Sequence, residues 1–212
     1  MDNKQKGALF DLDGVLIDSE TLYTQFWADV APRYGQHSPT FALDIKGTTL
    51  TDILNTYFSD PQHQKEITEL VHKAEHELEY PVFKGVPEFL DQLTAAGYKL
   101  AIVTSSDNTK MDYLFARQPW MRDRFDAVIT GSMVQNSKPD PEGYLLAARS
   151  IGCEPENCYV FEDSFQGLEA GRRAGATVIA LATTNTRESL RGKSAMIIDG
   201  FENLELKQLP KI

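Results

Sequence analysis

Six short apolar runs, separated by stretches of helical periodicity, constrain this chain most. They cover residues 7–12, 99–104, 127–130, 158–161, 177–181 and 196–198. Each is too short for a buried helix and long enough for a strand. Apolar stripes at helical spacing fall between them, over 87–96, 110–117, 141–151, 165–174 and 187–191. Strands alternating with helices predict an α/β fold built on a parallel sheet covered on both faces.

The interval between the first two runs breaks this rhythm. It extends from about residue 15 to 98, far more than one crossover helix requires. Three helical stripes fill most of it. Leu22, Phe26, Val30 and Tyr34 mark one over 21–34, and Ile53, Leu54, Tyr57 and Phe58 mark another over 51–58. Ile67, Leu70, Val71 and Ala74 mark the third, over 61–78. A helical subdomain inserted after the first strand is expected. It leaves near 15–20 and returns near 80–86, where Pro81, Gly85 and Pro87 signal turns. The expected division is a core of residues 1–16 and 82–212 and a helical cap of 17–81.

A formal net charge of −10 argues against a nucleic-acid partner held by a basic surface. No apolar run approaches the roughly 20 residues of a membrane helix, and residues 1–6 lack the apolar core of a signal peptide. Cys153 and Cys158 have neither zinc-site nor dithiol spacing and read as buried thiols. A reduced, cytoplasmic setting without membrane attachment is expected.

The first strand delivers a pair of acids. Ala8, Leu9 and Phe10 lead into Asp11 and Asp13, with Gly14 next. Alternate residues of a strand share a face, and two neighbouring carboxylates repel unless a cation or proton neutralises them. A carboxylate can attack an electrophile, and a second can move the proton. Asp11 is therefore the candidate nucleophile and Asp13 the candidate acid/base. Calcium loops also carry Asp-x-Asp-Gly, but they need a glutamate near position 22, where this chain has Leu22.

Three further segments follow predicted strands, and ligands of open parallel sheets collect beyond the strands' carboxyl ends. Thr104, Ser105 and Ser106 offer hydroxyls to a phosphate, and Ser106 or Asp107 can cap the next helix. Lys138 is a cation able to grip phosphate oxygen, in a segment stiffened by Pro139 and Pro141. Asp163 is a candidate Mg²⁺ ligand together with Asp11. Glu162 either starts the following helix or orients a metal-bound water. Together they predict Mg²⁺-dependent phosphoryl transfer through an aspartyl phosphate on Asp11, under an insert that excludes bulk water.

Phe10-Asp11-Leu12-Asp13-Gly14-Val15-Leu16-Ile17-Asp18-Ser19-Glu20, Thr104, Lys138-Pro139-Asp140-Pro141 and Glu162-Asp163-Ser164 occur in order along nearly the whole chain. In these the chain resembles the haloacid dehalogenase-like hydrolase superfamily, in its phosphatase and β-phosphoglucomutase-like branch. The resemblance implies a Rossmann-like parallel core with a small all-helical cap after the first strand. It implies metal contacts from Asp11, the backbone carbonyl of Asp13 and Asp163, and a monomer. The second acid, Asp13, points to phosphate rather than halide chemistry. The mutase branch carries a histidine where this chain has Tyr23, and an arginine where Leu50 follows Lys46 and Gly47. The expected activity is a phosphomonoesterase acting on a small phosphorylated metabolite such as a sugar phosphate. Ser105, Lys46, Thr48 and Thr49 are candidate substrate contacts, although the last three serve equally well as a folding turn. A sugar-phosphate mutase is the alternative. A non-enzymatic receiver-like domain shares the acid pair, hydroxyl and lysine, but not the second acid two residues on or the helical insert.

Overall fold

The computed structural model describes residues 4–212. The chain begins with β1 (Gly7–Phe10) and enters α1 (Glu20–Val30), α2 (Phe41–Asp44), α3 (Leu50–Tyr57) and α4 (Pro61–Glu77). It continues through α5 (Val86–Ala95), β2 (Lys99–Val103), α6 (Asn108–Arg117), α7 (Pro119–Arg124) and β3 (Ala127–Ile129). The last third holds α8 (Glu142–Ser150), β4 (Cys158–Glu162), α9 (Phe165–Ala174), β5 (Thr177–Leu181), α10 (Arg187–Leu190) and β6 (Met196–Ile198).

All six strands form one parallel sheet in the order β3-β2-β1-β4-β5-β6. The parallel α/β sheet expected from the alternation is present, with the Rossmann-like form that the resemblance implies. Strand order reverses beside β1, and that crevice is where such sheets bind ligands. Phe10 pairs with Ile102 on one side and Phe161 on the other. This register brings Asp11, Val103 and Glu162 to one level at the carboxyl edge.

Strand alternation splits the sheet's side chains between two layers. Ala8 and Phe10 enter a cluster with Phe89, Phe161 and Phe201, whereas Leu9 enters one with Ala101, Tyr144 and Val160. The Phe10 and Phe161 rings stack with centroids 4.5 Å apart. Cys153 and Cys158 are buried, free thiols, and burial pushes Cys158 up to about 12. Among the described residues, no helix is long and apolar enough to cross a membrane.

Helices α1 to α4 pack around their own apolar cluster, which includes Trp27, Phe41, Ile53, Phe58, Ile67 and Val71. Asp60 caps α4 by accepting from the Gln62 N–H, and Pro61 occupies the first turn, where its missing donor costs nothing. The two connections to the sheet run side by side. Asp18 N–H donates to Pro81 O at 2.8 Å and Phe83 N–H to Leu16 O at 3.1 Å.

The single stripe expected over 21–34 divides. The α-helix ends at Val30, and a 3₁₀ turn follows over Ala31–Tyr34. Pro32 cannot donate the i→i−4 bond that would continue the helix. Two short helices, α2 and α7, lie outside the stripes read from the sequence; each spans only one to two turns.

Candidate active site

Asp11 stands just past β1, its N–H bonded to Phe161 O at 3.0 Å. The Lys138 ammonium donates to Asp11 Oδ1 at 2.7 Å, to Glu162 Oε1 at 2.5 Å and to Val103 O at 3.2 Å. Glu162, 0% exposed, also accepts from the Tyr144 hydroxyl at 2.8 Å. Its other oxygen takes the N–H groups of Asp163 and Ser164 at 3.0 and 3.1 Å, and the Ser164 hydroxyl at 3.1 Å. Glu162 thus organises the entry to α9, one of its two expected duties. It also aims Lys138 at Asp11, a task its position in the sequence did not disclose.

Charge in this buried centre is unbalanced. Asp11, Glu162 and Asp163 each offer an oxygen, and the three lie within 4.8 Å of one another. Burial pushes the Asp11 carboxyl up to about 7; Lys138 pulls against this, while Glu162 and Asp13 add to it. Burial alone would lower Lys138, but the carboxylates of Asp11 and Glu162 override it and raise the lysine. Three acids against one ammonium, with oxygen donors alone, suit a hard divalent cation. Gly14 keeps the approach narrow. It sits at φ 75°, and a Cβ there would come within 2.2 Å of Asp163 Oδ2.

Asp13 faces a different set of partners. Ser19 and Ser106 donate hydroxyls to it, the latter at 3.1 Å. The Lys110 ammonium lies 2.5 Å from both carboxylate oxygens. Burial would raise Asp13, but Lys110 and the two hydroxyls outweigh it and hold the carboxyl below its ordinary value. Lys110 is 1% exposed and sits 4.5 Å over the Tyr23 ring of the insert. The sequence reading missed it. One signal was available: Lys110 lies in the first turn of α6, where a cation opposes the helix dipole unless a partner holds it.

The strand-end hydroxyls divide their labour. Thr104 Oγ1 accepts from Ser106 N–H at 3.0 Å, and Asp107 rather than Ser106 caps α6 by accepting from Lys110 N–H at 3.0 Å. Ser105 donates to Gly47 O at 2.6 Å, joining core to insert. Thr49 caps α3, accepting from Asp52 N–H at 3.2 Å and donating to the Asp52 carboxylate at 2.7 Å. Of the two expectations for Thr49, its contacts are those of a turn.

These groups surround a cleft that is partly open to solvent. Asp11, Asp13, Thr104 and Asp163 line it from the sheet edge; Lys46 and Thr48 also line it. Tyr23, Trp27, Ile45, Leu50 and Ile53 form an apolar roof contributed by the insert. Asp11, Lys138, Glu162 and Asp163 therefore share one buried centre, with Asp13 and Thr104 on the wall of the same cleft.

The sequence pattern of the haloacid dehalogenase-like hydrolase family matches residues 8–181. A phosphorylated carbohydrates phosphatase of Thermotoga maritima is 33% identical over 178 residues, which cover 80% of this chain and 82% of that protein. A β-phosphoglucomutase of Mycobacterium bovis is 30% identical over 211 residues, covering 83% and 80%. Among solved structures, a β-phosphoglucomutase of Clostridium difficile superposes with a TM-score of 0.80, covering 96% of this chain and 94% of that one. Its sequence identity is 22%, so the likeness bears on the fold.

Proposed function

The chain belongs to the haloacid dehalogenase-like hydrolase family, and from that premise we propose that it is a Mg²⁺-dependent phosphomonoesterase acting on a small sugar phosphate or related metabolite. The supporting observation is the buried Asp11 carboxylate at the foot of a cleft, gripped by Lys138 within an excess of acids. Its relatives named for phosphorylated carbohydrates and phosphoglucose favour the substrate class.

Asp11 attacks phosphorus in line and carries the phosphoryl group as an aspartyl phosphate. Lys138, fixed between Asp11 and Glu162, screens the repulsion between the nucleophile and the phosphoryl oxygens. Thr104 and Ser105 offer polar groups to those oxygens from the end of β2. Asp13 gives a proton to the departing oxygen and then takes one from the attacking water. Held ionised by Lys110, it is ready as the base and must gain a proton before serving as the acid. Asp11, Asp163 and the backbone carbonyl of Asp13 would hold Mg²⁺, which would supply charge neutralisation and orientation at the phosphoryl group. Residues 17–81 act as the cap that excludes bulk water.

Tyr23 and Leu50 line the cleft where the mutase branch places histidine and arginine. Neither brings a positive charge to steady a second phosphate, which favours water as the acceptor. Purified protein with Mg²⁺ is expected to release phosphate from a generic aryl phosphate and, faster, from members of a sugar-phosphate panel. Asp11→Asn is expected to abolish release; turnover retained by that variant overturns Asp11 as nucleophile. Interconversion of hexose 1- and 6-phosphates without phosphate loss would establish the mutase instead.

A further inference from the structure

Insert and core also meet at a second cluster, on the wall of the cleft and distinct from the Asp11 centre. His72 and Glu75 stand one turn apart on α4, on a shared face. Asp107 faces them from the N-cap of α6. Each offers one ligand atom, and the three atoms lie within 4.8 Å of one another. His72 Nε2 is 2.9 Å from Asp107 Oδ2. The two are hydrogen-bonded to each other, and two donors of a single cation at about 2.0–2.2 Å sit about 2.8–3.6 Å apart between right-angled and tetrahedral coordination, so an ion entering between them replaces that bond with little movement.

An independent observation concerns Glu75, which is 5% exposed. Its Oε1 accepts from the Tyr23 hydroxyl at 2.6 Å. Its Oε2 is buried with no hydrogen-bond partner, one of two such side-chain atoms among the described residues. A buried carboxylate oxygen without a partner is costly and calls for a donor or a cation. The nearby Lys110 ammonium contributes to the field at Glu75 but is clamped between both Asp13 oxygens at 2.5 Å. The protein itself leaves that oxygen unsatisfied.

We propose that His72, Glu75 and Asp107 form a second cation site, which takes a borderline divalent ion of the zinc or cobalt class and bridges insert to core. One imidazole with two carboxylates suits such ions, whereas Mg²⁺ prefers oxygen throughout. The His72 and Asp107 side chains are 27% and 34% exposed, so solvent has a route to the site. Glu75 and Asp107 also line the cleft, which places the ion within reach of a bound substrate. The proposal does not depend on the reaction assigned to Asp11.

Co²⁺ titration of chelator-treated protein, in saturating Mg²⁺, tests it by calorimetry and visible absorption. About one Co²⁺ per chain is expected, with a d–d spectrum indicating nitrogen ligation and a rise in melting temperature. His72→Ala, at a partly exposed position, and Glu75→Gln, which keeps the Tyr23 contact, are each expected to weaken binding tenfold or more. Asp11→Asn/Asp163→Asn is expected to leave it unchanged. Absence of binding in Mg²⁺, or binding that survives His72→Ala and disappears in the Asp11/Asp163 variant, overturns the proposal.

Discussion

Replacing Lys110 with methionine keeps a long, unbranched side chain in its buried slot and removes only the ammonium. In the native protein that ammonium contacts both oxygens of Asp13 at 2.5 Å and is itself 1% exposed. Removing one partner of a buried pair leaves a charge without compensation, at a cost of about 3–5 kcal/mol. Asp13 keeps the Ser19 and Ser106 hydroxyls, and its side chain is 18% exposed. Both soften the loss, so Lys110→Met is expected to cost about 3 kcal/mol, the low end of that range. Asp13→Asn leaves the reciprocal defect, a buried ammonium facing a neutral amide. The double variant removes both charges, and its cost is expected to fall short of the sum of the single costs by about 2 kcal/mol, within the range for contacting residues. Urea unfolding in the presence of chelator, followed by circular dichroism, measures all four proteins without a bound ion stabilising the folded state. An unchanged m-value verifies that the same surface opens in each. A Lys110→Met cost below about 1 kcal/mol, or a coupling indistinguishable from zero, refutes the assignment of Lys110 as the counter-ion of Asp13.

Gly167→Ala would place a Cβ 1.7 Å from Glu162 Oε1, the atom that holds Lys138 and Tyr144. Glu162 must move, so a stability loss of about 1–3 kcal/mol is expected. Phosphate release is expected to fall further than stability alone explains; a variant with native activity would show that Glu162 does not set Lys138. On α9, hydrogen bonds from Arg172 and then Arg173 hold the Glu169 carboxyl at about 2, below its ordinary 4.5. The depressed folded value means the stabilisation is complete above pH 4.5 and is lost as pH falls toward 2. The melting-temperature gap between the native protein and Glu169→Gln should therefore narrow over that window and also shrink in high salt; a gap constant with pH contradicts the pairing. Chelation is expected to stop phosphate release and added Mg²⁺ to restore it, and full activity after chelation would exclude metal dependence.

Much of the architecture was legible because it rests on local periodicity. Short apolar runs and helical stripes are properties of neighbouring residues, so β1 to β6 and the longer helices could be read directly from the chain. The helices filling the long interval after β1 were legible for the same reason. Pro32, which turns the end of one predicted helix into a 3₁₀ turn, shows the limit. A stripe of apolar residues continues across a position where the backbone cannot supply its donor.

By itself, the sequence determined the fold class, the presence of helices between β1 and β2, and the strand-end segments from which candidate site residues are drawn. It did not determine which charge meets which. Lys138 and Asp11 are 127 positions apart, and Lys110 and Asp13 are 97 apart. Parallel register across β2, β1 and β4 brings those segments to a single edge, and helix packing then aims each side chain. Lys138 thereby joins Asp11 and Glu162, while Lys110, a cation in the first turn of α6, becomes the counter-ion of Asp13. The orphaned oxygen of Glu75 is likewise invisible without coordinates. Burial and hydrogen bonding between distant groups are sums over the packed molecule, and no window of neighbouring residues contains them.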